Sequence, residues 1–290
     1  MFSGSYVAIV TPMLAGGAID FAAWERLLEF HAGNGTRGIV VGGTTGESPT
    51  LTDGELHELV VRAREQLRGR LQLLAGVGSN STAATVERAA RFGALGVDAL
   101  LVVTPAYNKP TQQGLYLHFQ AVAAASPVPL MLYNVPGRTA VDMLPPTVAR
   151  LAQLPNIAAI KEAVADIGRI RELIAACGSE FDVLSGDDSV AREAVLAGGR
   201  GVVSVTANVA PRQMSELMAA ALAGKGAEAG ALDARLAMLH ERLFLEANPI
   251  PVKWVMQQMG LIGPELRLPL TPLSERFHDR LREAMHVAGL

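Results

Sequence analysis

Cysteine is almost missing from this chain, with Cys177 the single one in 290 residues. One thiol can form no intramolecular disulfide and no multi-cysteine zinc site, and this usage points to a reducing, cytoplasmic setting. Long apolar runs are missing too. No stretch of about 18 apolar residues is present, so no membrane-spanning helix is expected. The first ten residues lack the basic segment and apolar stretch of a secretory signal. Neither sign of charge dominates: 25 Lys+Arg stand against 28 Asp+Glu, a net −3. No basic stripe marks a nucleic-acid binder, and no acidic tail marks a basic partner. Lysine itself is scarce. Lys109, Lys161, Lys225 and Lys253 are the whole set, and arginine supplies the other positive charges.

What is present is a large apolar fraction, 50%, arranged in short blocks. Near-continuous apolar runs recur at Val7–Val10, Gly38–Val41, Leu71–Ala75, Ala99–Val103, Leu130–Tyr133, Ile157–Ile160, Asp182–Leu184 and Gly201–Val205. Runs of this kind, apolar on both faces, read as parallel strands. Between them lie stretches of helical period. Phe21–Asn34 carries Trp24, Leu27, Leu28 and His31 on one stripe, and Asp53–Leu67 carries Leu56, Leu59, Val60, Ala63 and Leu67. Gly35, Gly96 and Gly178 stand where helices must turn back into strands. Strand–helix alternation repeated eight times predicts the α/β class and a closed (β/α)₈, or TIM, barrel. The open doubly wound sheet lacks its G-x-G-x-x-G at the first turn. After Val205 the strand signals stop, and Pro211–Leu222, Ala227–Phe244, Pro251–Met259 and Pro272–Val287 read as helices. The expected organisation is a catalytic barrel over 1–224 and a C-terminal helical extension over 225–290.

Barrel enzymes place their chemistry at the C-terminal ends of the strands. Only Lys161, among the lysines, directly follows an apolar strand. Burial disfavours an ammonium, and the neutral amine is the form that attacks a carbonyl. Pairing with the adjacent Glu162 is the alternative. Tyr133 ends the preceding strand and is a candidate proton shuttle, or else an aromatic cap on the barrel. The loop Gly42–Gly43–Thr44–Thr45–Gly46 offers backbone N–H groups and two hydroxyls to a carboxylate, or is simply a tight turn. Arg138 could grip a second carboxylate, or sit as a solvated loop charge. Asp187 and Asp188 read as helix caps rather than a metal pair. The six histidines all fall in expected helices, away from strand ends, so zinc-dependent aldol chemistry is disfavoured and no metal or cofactor is expected.

Several motifs together resemble those of the dihydrodipicolinate synthase family, among the pyruvate aldolases related to N-acetylneuraminate lyase. They are Gly43–Thr44–Thr45–Gly46–Glu47–Ser48, Tyr107–Asn108–Lys109–Pro110–Thr111, Tyr133–Asn134–Val135–Pro136–Gly137–Arg138–Thr139, Ile160–Lys161–Glu162–Ala163 and Asn248–Pro249–Ile250–Pro251–Val252–Lys253–Trp254. The resemblance spans essentially the whole chain, and the arginine after Pro136–Gly137 favours the synthase branch. It implies a Schiff-base lyase joining pyruvate to L-aspartate 4-semialdehyde in lysine and diaminopimelate biosynthesis. By the family pattern Lys161 forms the imine, and Tyr133, Thr44 and Tyr107 form a proton relay, with Tyr107 reaching in from a neighbouring subunit. Thr45 holds the pyruvate carboxylate, Arg138 that of the semialdehyde, and Gly186 and the Val203 carbonyl line the pocket. A homotetramer, a dimer of dimers, is the expected assembly. A related aldolase acting on a sugar-derived 2-oxo acid is one competing reading, and a non-catalytic barrel that binds a 2-oxo acid is another.

The chain departs from the pattern of lysine-inhibited relatives. Ser48 and Asn80 are present, but Ala106, Ala84 and Leu56 replace an expected tyrosine, acidic residue and histidine. Losing the carboxylate that would pair a bound ammonium weakens such a site. Feedback inhibition by L-lysine is therefore expected to be weak or absent, and Ala106 is expected to weaken the usual dimer contact.

Overall fold

The computed structural model describes residues 2–290. Eight strands form one closed parallel barrel in sequence order: β1 (Gly4–Ala8), β2 (Gly38–Val41), β3 (Gln72–Gly76), β4 (Ala99–Val103), β5 (Leu130–Asn134), β6 (Ile157–Glu162), β7 (Asp182–Ser185) and β8 (Gly201–Ser204). β8 closes on β1 through Gly4↔Gly201 and Tyr6↔Val203. The sequence blocks mark every strand, with one shift. β1 begins at Gly4, ahead of the apolar run expected at Val7–Val10. Its polar start is held by the ladder to β8, whereas Val10 has left the sheet and donates its N–H to the Asn208 side chain.

Side chains alternate between two cores, as the strand period of two requires. Tyr6, Val40, Leu74, Leu101, Met131, Tyr133, Leu184 and Val203 fill the barrel interior. Val7, Ile39, Val41, Leu73, Leu100, Leu132, Ile160 and Val202 face the surrounding helices. The stripe Trp24, Leu27, Leu28 and His31 is buried on helix Phe21–Ala32, and the stripe on Asp53–Leu67 is buried as well. That second helix starts in a capping box between Thr52 and Glu55. The turn glycines 35, 96 and 178 have φ of 79°, 79° and 80°, a region costly for any residue with a Cβ.

Helices Pro211–Leu222, Gly226–Arg242, Ile250–Gln258 and His278–Ala288 complete the chain. The last begins six residues later than the expected Pro272. Ser274 there bonds the Glu246 carboxylate through both its N–H and its hydroxyl, and a 3₁₀ turn over Glu275–Phe277 precedes the helix. Leu236, Leu239, Val252 and Leu281 of these helices join the outer core of the barrel. Among the described residues no helix is long and apolar enough to cross a membrane.

Candidate active site

The geometry begins with an irregularity in β6. Leu130 pairs with Ile157, but Met131 pairs with Ala159, so Ala158 is an extra residue in the ladder. Ala158 and Ala159 both pack on the interior, while Ile157 and Ile160 both face the helices. Uninterrupted alternation would have turned residue 161 outward. The bulge reverses the phase, and Lys161 points into the barrel in register with Tyr133.

Lys161 is 4% exposed, and its Nζ lies 4.3 Å from the centre of the Tyr133 ring. It has no hydrogen bond or ion pair among the described residues. Pairing with Glu162 is ruled out, because Glu162 faces the other layer. There it accepts two hydrogen bonds from Asn134 Nδ2, at 3.2 and 3.0 Å, and one from the Val164 N–H at 2.8 Å. Burial pushes the Glu162 carboxyl up to about 7, against those same hydrogen bonds.

Gly186 follows β7 over the lysine stem. A Cβ there would lie 3.0 Å from both Cγ and Cε of Lys161 and 2.9 Å from the Ala163 Cβ, so the lysine rotamer depends on its absence. Val203 sits fully buried on the inner face of β8.

A cavity of about 700 Å³ opens at the strand ends, with Thr44, Tyr133 and Arg138 among its walls, and extends outward past Ser48, Asn80 and Ala106. Thr45 is buried beside it, and its Oγ1 accepts a 2.9 Å hydrogen bond from Asn248 Nδ2. Arg138 is exposed and donates from Nη2 to the Asn248 carbonyl at 3.2 Å. The fold therefore gathers Lys161, Tyr133, Thr44, Thr45, Arg138 and Gly186 at one end of the barrel. It does not bring Tyr107 to them. Tyr107 is 90% exposed, with a left-handed φ of 73°.

The two aspartates divide their work. Asp187 caps the 3₁₀ turn Asp188–Val190, accepting from Ser189 N at 2.9 Å, as expected. Asp188 is not a cap. Its Oδ2 accepts from Val205 N and Thr206 N, both at 2.9 Å, and ties the end of β7 to the end of β8. The histidines all lie in helices. Asn248 and the buried pair Lys253–Glu47 stand within the motifs 43–48 and 248–254, but nothing in the sequence assigns them a role. A charge among Ile250, Val252, Trp254 and Val255 was the available signal, since a buried charge requires a partner.

The family model for the dihydrodipicolinate synthetase family matches residues 1–288. The chain is 54% identical, over 290 residues, to a 4-hydroxy-tetrahydrodipicolinate synthase of Thioalkalivibrio sulfidiphilus, covering 100% of this chain and 99% of that one. It superposes with a TM-score of 0.98 on the chloride-inhibited dihydrodipicolinate synthase from Acinetobacter baumannii complexed with pyruvate. That structure is 48% identical, with 100% of this chain and 99% of the other covered. A monomeric dihydrodipicolinate synthase variant is similar too, at a TM-score of 0.97 and 43% identity, with coverage of 100% and 97%.

Proposed function

Because the chain belongs to the dihydrodipicolinate synthetase family, we propose that it condenses pyruvate with L-aspartate 4-semialdehyde to give 4-hydroxy-tetrahydrodipicolinate, as a Schiff-base lyase of lysine and diaminopimelate biosynthesis. The observation that carries this reading is the buried, unpaired Lys161 amine beside the Tyr133 ring, at the cavity end of the barrel.

The Lys161 amine adds to the pyruvate ketone, and loss of water gives the imine. Loss of a methyl proton turns the imine into an enamine. The enamine carbon bonds to the aldehyde carbon of the semialdehyde, whose oxygen becomes the hydroxyl. The substrate's own amino group then adds to the imine carbon, expels the Lys161 amine and closes the ring. Tyr133 and Thr44 move the protons, completed by Tyr107 from a neighbouring subunit. Thr45 holds the pyruvate carboxylate, Arg138 holds that of the semialdehyde, and Gly186 and the Val203 carbonyl shape the floor.

The catalytic unit is the barrel over 1–224, carrying the helical extension over 225–290, and the enzyme works as a cytoplasmic homotetramer. Feedback by L-lysine is weak or absent. Ala84 brings no carboxylate, Leu56 is buried in the core, and Asp53, the acidic residue of the outer cavity, is taken up by Arg88 and Arg91.

Borohydride reduction in the presence of pyruvate tests the central step. The expected product is a pyruvate-derived adduct on the peptide containing Lys161, absent in Lys161→Ala. Folded wild-type protein that forms no adduct would exclude the mechanism.

A further inference from the structure

Asn248 touches both residues assigned to substrate carboxylates. It lies between helices Gly226–Arg242 and Ile250–Gln258 and is 5% exposed. Its side-chain Nδ2 donates to Thr45 Oγ1 at 2.9 Å, and its backbone carbonyl accepts from Arg138 Nη2 at 3.2 Å. The direction of the first bond matters. A threonine hydroxyl has one hydrogen to give and two lone pairs to receive with. With a lone pair occupied by the amide N–H, the hydroxyl hydrogen must be given elsewhere, and the Thr45 hydroxyl has no other partner among the described residues. The Asn248 Oδ1 is left buried without a partner. Turning the amide around would instead idle an NH₂ group with two donors.

We infer that Asn248 is a positioning residue, which sets the Thr45 hydroxyl as a donor toward the first substrate's carboxylate while its backbone carbonyl anchors Arg138. This rests on the reading of Thr45 and Arg138 above. The side-chain half is separable by mutation, because every substitution at 248 keeps the carbonyl.

The test is the pyruvate dependence of borohydride trapping at Lys161, together with KM and kcat for each substrate. It compares wild type, Asn248→Ala and Asn248→Asp, each with Thr45 intact and as Thr45→Val, with thermal melting to establish folding. A carboxylate at 248 accepts the Thr45 proton and adds a negative charge near the substrate's own. Asn248→Asp is therefore expected to raise the pyruvate KM and the half-trapping concentration by about tenfold or more, the size of a lost hydrogen bond to a charged group. Asn248→Ala should do so less, kcat should change less than KM, and both effects should shrink in the Thr45→Val background. A pyruvate KM for Asn248→Asp within about twofold of wild type, a change too small to represent such a bond, would overturn the inference. Equal losses with and without Thr45 would do the same. Should Asn248→Asp fail to fold, the cycle of Asn248→Ala with Thr45→Val decides: coupling supports the assignment and simple additivity overturns it. A wild-type adduct with unaffected variants removes this inference alone, whereas no wild-type adduct removes the mechanism and this inference with it.

Discussion

Lys161 and Glu162 are neighbours in the chain with opposite fates. Lys161 was legible because lysine is rare here and because it directly follows an apolar strand. That it would be unpaired was not legible, since the adjacent carboxylate looked like a partner until the β6 bulge sent the two to different layers. Glu162 then carries a cost of its own. Burial raises its carboxyl from 4.5 to about 7 in the folded chain. Below pH 4.5 it is protonated in both states and its contribution to stability is fully present. As pH rises toward 7 the unfolded chain gives up its proton first, so stability falls, and the loss levels off above the folded value. A shift of this size corresponds to roughly 3 kcal/mol. Glu162→Gln is neutral throughout. Its unfolding free energy relative to wild type should therefore improve by up to about 3 kcal/mol between pH 5 and pH 8. Urea unfolding across that range checks this, and a difference independent of pH would contradict it.

Helix Ile250–Gln258 is joined to the loop after β2 by a buried ion pair. Lys253 Nζ bonds Glu47 Oε1 at 2.6 Å and the Thr11 carbonyl at 3.0 Å, with both side chains 1% exposed or less. Glu47 has a left-handed φ of 58°, and its second oxygen accepts from Arg267 N at 3.1 Å. Through this contact the C-terminal extension braces the loop that carries Thr44 and Thr45. Burial lowers the Lys253 pKa, and Glu47 opposes that shift. Breaking such a pair strands a charge in the interior, so Lys253→Met should cost about 3–5 kcal/mol, with much of it regained in Lys253→Met/Glu47→Gln. Denaturant midpoints of the three proteins decide the matter. A loss under about 1 kcal/mol in the single variant, the level of an exposed pair, would mean the pair is not buried in solution. The helix was expected from sequence within a residue at each end, but its partner lies 206 positions away along the chain. No local pattern reveals a contact of that range.

Tyr107 raises a question about the molecule as a whole, because its side chain is 90% exposed and does not line the cavity of its own chain. If it serves a neighbour, two inactive proteins should rescue each other. Lys161→Ala supplies Tyr107, and Tyr107→Phe supplies Lys161. Co-expressed and randomly paired across a two-fold interface, they should regain about a quarter of wild-type activity. No gain in verified mixed oligomers would assign Tyr107 to its own subunit or to no catalytic role. Light scattering gives the assembly directly, and Ala106 makes the dimer the contact to watch on dilution.

Barrel closure, and the end of the barrel at which to look for a site, followed from sequence alone, because apolar blocks alternating with helical stripes leave a parallel sheet few other ways to bury both faces. Tertiary structure alone decided which way Lys161 faces, that Asp188 ties β7 to β8 instead of capping, and that Asn248 meets both Thr45 and Arg138. Hydrophobic patterning is a local, periodic signal. A one-residue bulge and a hydrogen bond across two hundred residues leave no period behind, and they exist only once the barrel has closed.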